Sequence, residues 1–203
     1  MQSLTPQAYW NQVFNRIQGE GFENASSWLR RYEPYLNKMH GKLILEIGCG
    51  GGSDTRVLVE HGYQVTATDF SEAAFALVRD RLPEANLVLH DTRYPFPFAD
   101  KSFDAVISSL SLHYFEKDAM TRIIGEIGRM LKPGGLFFVR LNSVNDAEAT
   151  KQQPIERYYY SLESCRELFT DWNERSLHEV TEDYHGRPKV IIEGMFELVC
   201  YIR

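Results

Sequence analysis

From Lys42 onward, short apolar runs alternate with amphipathic stretches, and this rhythm constrains the fold more than any other feature of the chain. Residues 43–47 read as a buried strand, followed by glycines and a helix over 54–61. A second strand is predicted over 63–68. A helix over 71–82 follows, capped by Ser71 and ended by Pro83. Strands are predicted over 86–90 and 103–108, then a helix over 118–131 stopped by Pro133-Gly134-Gly135, then a strand over 136–141. Strand, helix, strand in this order predicts a parallel sheet with right-handed crossovers.

The flanks behave differently. Thr5-Pro6 is a helix start, followed by Tyr9, Trp10, Val13, Phe14 and Ile17 at helical spacing. Trp28, Leu29, Tyr32, Tyr35 and Leu36 repeat that period in a second helix, which Pro34 should kink or break. Near the other end, 173–184 and 189–202 are extended stretches around His185-Gly186-Arg187-Pro188, which predicts an antiparallel hairpin. The polar segment between Asn142 and Ser161 is long for a connection inside a compact domain, which marks it as functional or disordered.

The 203 residues suit a single domain, with 1–40 a helical cap, 41–141 a ligand-binding core and 142–203 a lid segment, helix and hairpin. A net charge of −6 argues against a general nucleic-acid binder, and no apolar run approaches the ~20 residues of a membrane span. The first ten residues lack the basic and apolar regions of a signal peptide. Cys49, Cys165 and Cys200 are far apart, with no metal-ligand spacing, so no metal is expected and a reduced cytoplasm fits best.

The densest chemical signal is Leu45-Glu46-Ile47-Gly48-Cys49-Gly50-Gly51-Gly52-Ser53-Asp54. Glycines between a first strand and a helix let the backbone approach a ligand at the carboxyl edge of an open sheet. Asp69, closing the second strand, suits both hydroxyls of a ribose, which NAD would satisfy equally. Glu46 argues otherwise, because a carboxylate there repels a pyrophosphate and attracts an ammonium or sulfonium. Asp91, after the third strand, suits an adenine amino group, and Phe70 suits an adenine face. Together the three acids describe a nucleoside with a cationic tail.

As an ordered set, Leu45–Gly50, Val65–Ser71, His90-Asp91-Thr92, Pro95–Phe98, Phe103–Ser108 and Leu131–Gly135 resemble the class I S-adenosylmethionine-dependent methyltransferases, small-molecule members among them. The resemblance covers about residues 41–141. It implies an α/β, Rossmann-like, doubly wound seven-stranded sheet of order 3-2-1-4-5-7-6, strand seven antiparallel, with helices on both faces. Under the same resemblance Gly48, Cys49 and Gly50 wrap the methionine part of S-adenosylmethionine, and Asp69 holds the ribose. Phe70 flanks the adenine, Asp91 with Thr92 meets its edge, and Ser108 lies near the methyl group. Gly51 departs from the Thr or Ser often found there.

Methyl transfer from a sulfonium is an in-line displacement that needs alignment more than a fixed catalytic residue, and none is marked. His113, after strand four, is the candidate base. Tyr9, Trp10 and Phe14 are candidates for a lid over the cofactor, with simple helix packing as the alternative. Tyr114, Arg140, Asn142, Tyr158 and Arg187 are candidates for an acceptor pocket, with Tyr159, Tyr160 and His185 alongside. The Asn-Pro-Pro-Tyr type of tetrapeptide is replaced by Ser108-Ser109-Leu110-Ser111, which lowers the case for a flipped-base substrate. The expected function is therefore methyl transfer to a small molecule, without nucleic acid or membrane. A non-catalytic S-adenosylmethionine-binding module and an NAD-dependent oxidoreductase stay open as alternatives.

Overall fold

The Thr5 hydroxyl accepts the Ala8 N–H at 3.2 Å and Pro6 takes the first helical position, which starts α1, Pro6–Arg16. The computed structural model describes residues 5–17, 28–39, 41–184 and 186–199. His185, Cys200 and the expected strand end at 202 lie outside the described residues. The chain divides into two compact units, Met1–Phe96 and Pro97–Arg203.

In the first unit, α1 is followed by a helical turn, Trp28–Tyr32, and a short helix α2, Glu33–Leu36. The expected second helix is thus two pieces. Pro34 cannot donate a hydrogen bond inside a helix, and it sits instead in the first turn of α2, where none is needed. Then come β1 (Leu43–Ile47), α3 (Ser53–Glu60), β2 (Gln64–Asp69), α4 (Glu72–Arg79) and β3 (Asn86–Leu89). β1 pairs in parallel with β2, and β2 with β3. The sides of a parallel strand are both covered, which is why Ile44, Leu45 and Ile47 are all fully buried. Ser71 caps α4 by accepting the Ala74 N–H at 3.2 Å.

The second unit holds β4 (Phe103–Ser109), α5 (Lys117–Met130), β5 (Leu131–Asn142), α6 (Leu162–Leu168), β6 (Trp172–Asp183) and β7 (Pro188–Leu198). β4 and β5 are parallel, while β7 runs antiparallel to both β5 and β6. The seven strands form one sheet of order β3-β2-β1-β4-β5-β7-β6. α5 buries Met120, Ile123, Ile124, Ile127 and Met130, one apolar stripe worth ~1.5–3 kcal/mol per side chain. Phe169 stacks on Phe196 at 4.0 Å, and a Cβ on Gly194 would stand 2.6 Å from the Phe196 ring, so only glycine fits there.

Two local expectations change. Pro133-Gly134-Gly135 ends no helix by itself: α5 already stops at Met130, and the triplet lies inside β5. The pairing with β4 jumps there, from Phe103 opposite Leu131 to Ala105 opposite Leu136, a bulge that Pro and Gly tolerate. The 142–161 segment is ordered by its own contacts. Asp146 accepts the N–H groups of Glu148 and Val190 at 2.8 and 2.7 Å, Ala147–Thr150 forms a helical turn, and Ser143 bridges to Tyr160.

Candidate functional site

In the first unit the site is built from the carboxyl ends of β1 and β2. As β1 ends, the Gly48 and Cys49 N–H groups both donate to the Thr68 carbonyl, at 2.8 and 2.9 Å, which folds the chain back over β2. The turn into α3 then needs positive φ at Gly48, Gly50 and Gly52, which glycine supplies without strain. A Cβ on Gly51 would meet nothing within 4 Å, so the loop leaves open space on that side.

Three acids converge behind this loop. Asp69 is buried, and its carboxylate accepts the Gly50 N–H and the Ser71 N–H, both at 2.9 Å. An ionised carboxylate offers about four acceptor sites, so these N–H groups leave part of its capacity for ligand hydroxyls. Glu46 is buried and accepts the Thr55 hydroxyl. Asp54, in the first turn of α3, accepts the indole N–H of the fully buried Trp28 at 2.8 Å. Burial pushes the Glu46 carboxyl well above the usual carboxylate range, and the charge of Asp54 and then Asp69 adds to it against the Thr55 hydrogen bond. Burial likewise raises Asp69, against the N–H groups of Gly50, Ser71 and Phe70. Clustered buried acids, two of which raise the pKa of Glu46, favour a cation and disfavour a diphosphate.

α1 lies on this loop. The Phe14 ring is 3.2 Å from where a Gly50 Cβ would stand and stacks on Trp10 at 5.4 Å, with Tyr9 edge-on to Trp10 at 5.5 Å. Gln7 donates to the Phe70 carbonyl at 2.9 Å, and the Ser71 hydroxyl donates to Asn11 at 2.6 Å. Phe14, Tyr9, Trp10, Glu46, the glycines, Asp69 and Phe70 therefore come together. Cys49 is a buried free thiol held protonated by burial and by Glu46 and Asp69. Asp91 and Thr92 follow β3 half-buried. Burial opposes ionisation of Asp91, but hydrogen bonds and charge from Arg93 outweigh it and lower its pKa. Asp54, Thr55 and Trp28 had no place among the sequence candidates. An acid and a hydroxyl directly after the glycines were the available signal, whereas Trp28 comes from a distant segment.

The second unit carries the remaining candidates. Ser108 is fully buried and shares a 2.6 Å hydrogen bond with Ser111. Between them Leu110 adopts φ 53, a left-handed conformation costly for a branched side chain and concentrated at functional sites. The next turn, Leu112–Tyr114, presents His113, 2% exposed, whose Nδ1 has no hydrogen-bond partner among the described residues. Burial, then the charges of Lys189 and Arg157, hold this imidazole well below its usual pKa, which favours its neutral form. Asn142, also 2% exposed, has its side-chain oxygen without a partner among the described residues. Arg140 is buried on β5 and ion-paired with Glu182 and Glu193. Tyr114 and Tyr158 are half-buried, and the Tyr158 N–H donates to the His113 carbonyl at 2.7 Å. Arg187 is exposed in the hairpin turn, where its backbone pairs with Tyr184.

Known proteins are similar to this chain. The pattern of the methyltransferase domain family matches residues 45–139. A probable S-adenosylmethionine-dependent methyltransferase of Mycolicibacterium smegmatis is 29% identical over 173 residues, 82% of this chain and 66% of that protein. A tRNA N(3)-cytidine methyltransferase of Gallus gallus is 32% identical over 120 residues, 54% of this chain and 32% of that protein. A Haloferax volcanii methyltransferase solved with the Trm112 methyltransferase activator has a TM-score of 0.78 at 18% identity, covering 98% of this chain and 100% of that one. The chain spans from about a third to two thirds of the length of the curated relatives it matches. No helix among the described residues is long and apolar enough to cross a membrane. By its strand order, its glycine loop and the match over residues 45–139, the chain is similar to the class I S-adenosylmethionine-dependent methyltransferases and shares their fold.

Proposed function

We propose that the chain transfers the methyl group of S-adenosylmethionine to a small-molecule acceptor. The observation that carries this reading is the set of buried acids, Glu46, Asp54 and Asp69, behind a glycine loop with open space at Gly51. When bound, S-adenosylmethionine supplies a methyl carbon that an acceptor lone pair takes while the carbon–sulfur electron pair stays on sulfur, leaving S-adenosylhomocysteine.

Asp69 would hold the ribose hydroxyls through its remaining acceptor sites, and Glu46 would supply negative charge for the amino-acid end. Gly48 to Gly50 would line the methionine part. Asp91 with Thr92 would meet the adenine edge, Phe70 would flank its face, and Tyr9, Trp10 and Phe14 would cover it from α1. Ser108 would stand toward the methyl group. On the acceptor, neutral His113 would take a proton where the accepting atom carries one. Tyr114, Asn142 and Tyr158 would shape the acceptor's surroundings. The acidic chain, the absent Asn-Pro-Pro-Tyr tetrapeptide and the small size of the post-β4 segment support a small molecule over a nucleic acid.

The test is a thermal-shift comparison of S-adenosylhomocysteine with NAD, followed by turnover with thiols, phenols, amines and a tRNA. A ligand that binds only the folded state raises the melting temperature. Stabilisation by NAD alone would sink the cofactor assignment, and methylation of the tRNA alone would move the acceptor to nucleic acid, as in the Gallus gallus relative.

A further inference from the structure

Two cations in the second unit, Arg157 and Lys189, both act through their charge on His113, and Arg157 acts on Lys189. Arg157 lies over the Tyr114 ring, 5.8 Å from its centre, and Lys189 over the Tyr184 ring at 4.8 Å. Among the described residues neither makes an ion pair, and the Arg157 Nε is buried without a hydrogen bond. Arg129, Arg140 and Arg166 behave otherwise: each is held by at least one carboxylate. The acids nearest Lys189 are committed elsewhere, Asp146 to the N–H groups of Glu148 and Val190, and Glu148 to Lys151 and Gln153.

The backbone holds this arrangement in place. The Tyr158 and Tyr160 N–H groups donate to the carbonyls of His113 and Asn142, at 2.7 and 2.9 Å, so the Arg157 segment is stitched to both. On the other side the Ser143 N–H donates to the Val190 carbonyl at 3.3 Å, which sets Lys189 beside the same strand end. The unpartnered His113 Nδ1 and Asn142 oxygen, each 2% exposed, lie on the elements so joined. Burial and then the Arg157 charge lower the Lys189 pKa, Arg140 adds to this, and Asp146 and Glu148 offset it only in part, so an anion would relieve the remaining repulsion.

We propose that Arg157 and Lys189 form a receptor for the carboxylate of a small, planar acceptor acid, held beside His113 and Asn142. The proposal rests on the small-molecule reading above and narrows its substrate class. The planar guanidinium fork matches a carboxylate, the ammonium adds a point charge, and Tyr114, Tyr158 and Tyr184 suit a flat ring. An RNA would require a wider cationic field than one half-buried pair in a chain of net charge −6.

Calorimetry on the full chain tests it, with benzoate, salicylate and 4-hydroxybenzoate as probes against benzamide and salicylamide, with and without S-adenosylhomocysteine. At least one acid should bind saturably and about ten-fold more tightly than its amide. Arg157→Gln and Lys189→Gln should each abolish that preference, and Arg157→Lys should restore part of it, all with unchanged S-adenosylhomocysteine affinity. The receptor is overturned if no acid saturates, if acid and amide bind alike, or if both Gln variants keep the preference. It is equally overturned if a short single-stranded RNA binds through the same two residues and the acids do not compete. Methyl transfer is scored separately. An acid that binds through Arg157 and Lys189 in a protein that methylates only tRNA supports the receptor and overturns the small-molecule reading.

Discussion

The Asp69 carboxylate receives the backbone N–H of Gly50 at 2.9 Å, so a side chain closing β2 holds the glycine loop that follows β1. With the second oxygen on the Ser71 N–H, one acid fixes two loops of the site at once.

Asp69→Ala should therefore act twice. It removes the ligand acceptor and leaves two buried N–H groups unpaired. S-adenosylhomocysteine affinity should fall by ~1–3 kcal/mol, and unfolding free energy should fall by a comparable amount. Calorimetry and urea denaturation check the two separately, and undiminished affinity would place the ribose elsewhere.

Gly50→Ala puts a Cβ at φ 52 and 3.2 Å from the Phe14 ring. The left-handed backbone alone costs about 1–2 kcal/mol for an alanine. The contact additionally presses on α1. Lower stability with weakened S-adenosylhomocysteine binding is expected in the same two assays. Phe14→Leu in the same chain should recover part of the loss, because the shorter side chain withdraws from the new methyl group.

Glu46 is raised above its ordinary value of 4.5, so between that value and its folded one the native state holds more proton than the unfolded chain. Its contribution to stability is lost as pH rises through that window. Glu46→Gln, which keeps the Thr55 hydrogen bond, should flatten this alkaline loss in denaturation curves taken across pH. It should also weaken S-adenosylmethionine binding by about 1–2 kcal/mol while leaving methylthioadenosine, which lacks the ammonium, little changed.

His113 has the opposite sign. Its pKa is lowered from 6.5, so below that value the unfolded chain binds the proton and the native state resists it. Stability should drop as pH falls through 6.5, and His113→Gln should lessen the drop. With an acceptor that must lose a proton, the same variant should slow turnover without changing S-adenosylhomocysteine affinity. Activity unchanged at all pH values would remove His113 as the base.

Much of the architecture is legible along the chain. The strand–helix alternation after Lys42, the Ser71 cap, the glycine turn and the terminal hairpin each depend on neighbours in sequence, whose spacing and capping chemistry act locally. Pro133-Gly134-Gly135 misleads for the same reason. A turn signal cannot tell a helix stop from a strand bulge, and the β4 partner decides in favour of the bulge.

Side-chain partners belong to the other category. Trp28 on Asp54, Phe14 on Gly50, Arg140 on Glu182 and Glu193, and the Arg157–Lys189 pair join positions many residues apart. The sequence alone determined the order of the elements and the acidic character of the glycine loop, because backbone propensity and charge are local properties. Which charges are paired with one another, and which are buried, was decided by the tertiary structure, because burial and distance exist only once distant segments have packed.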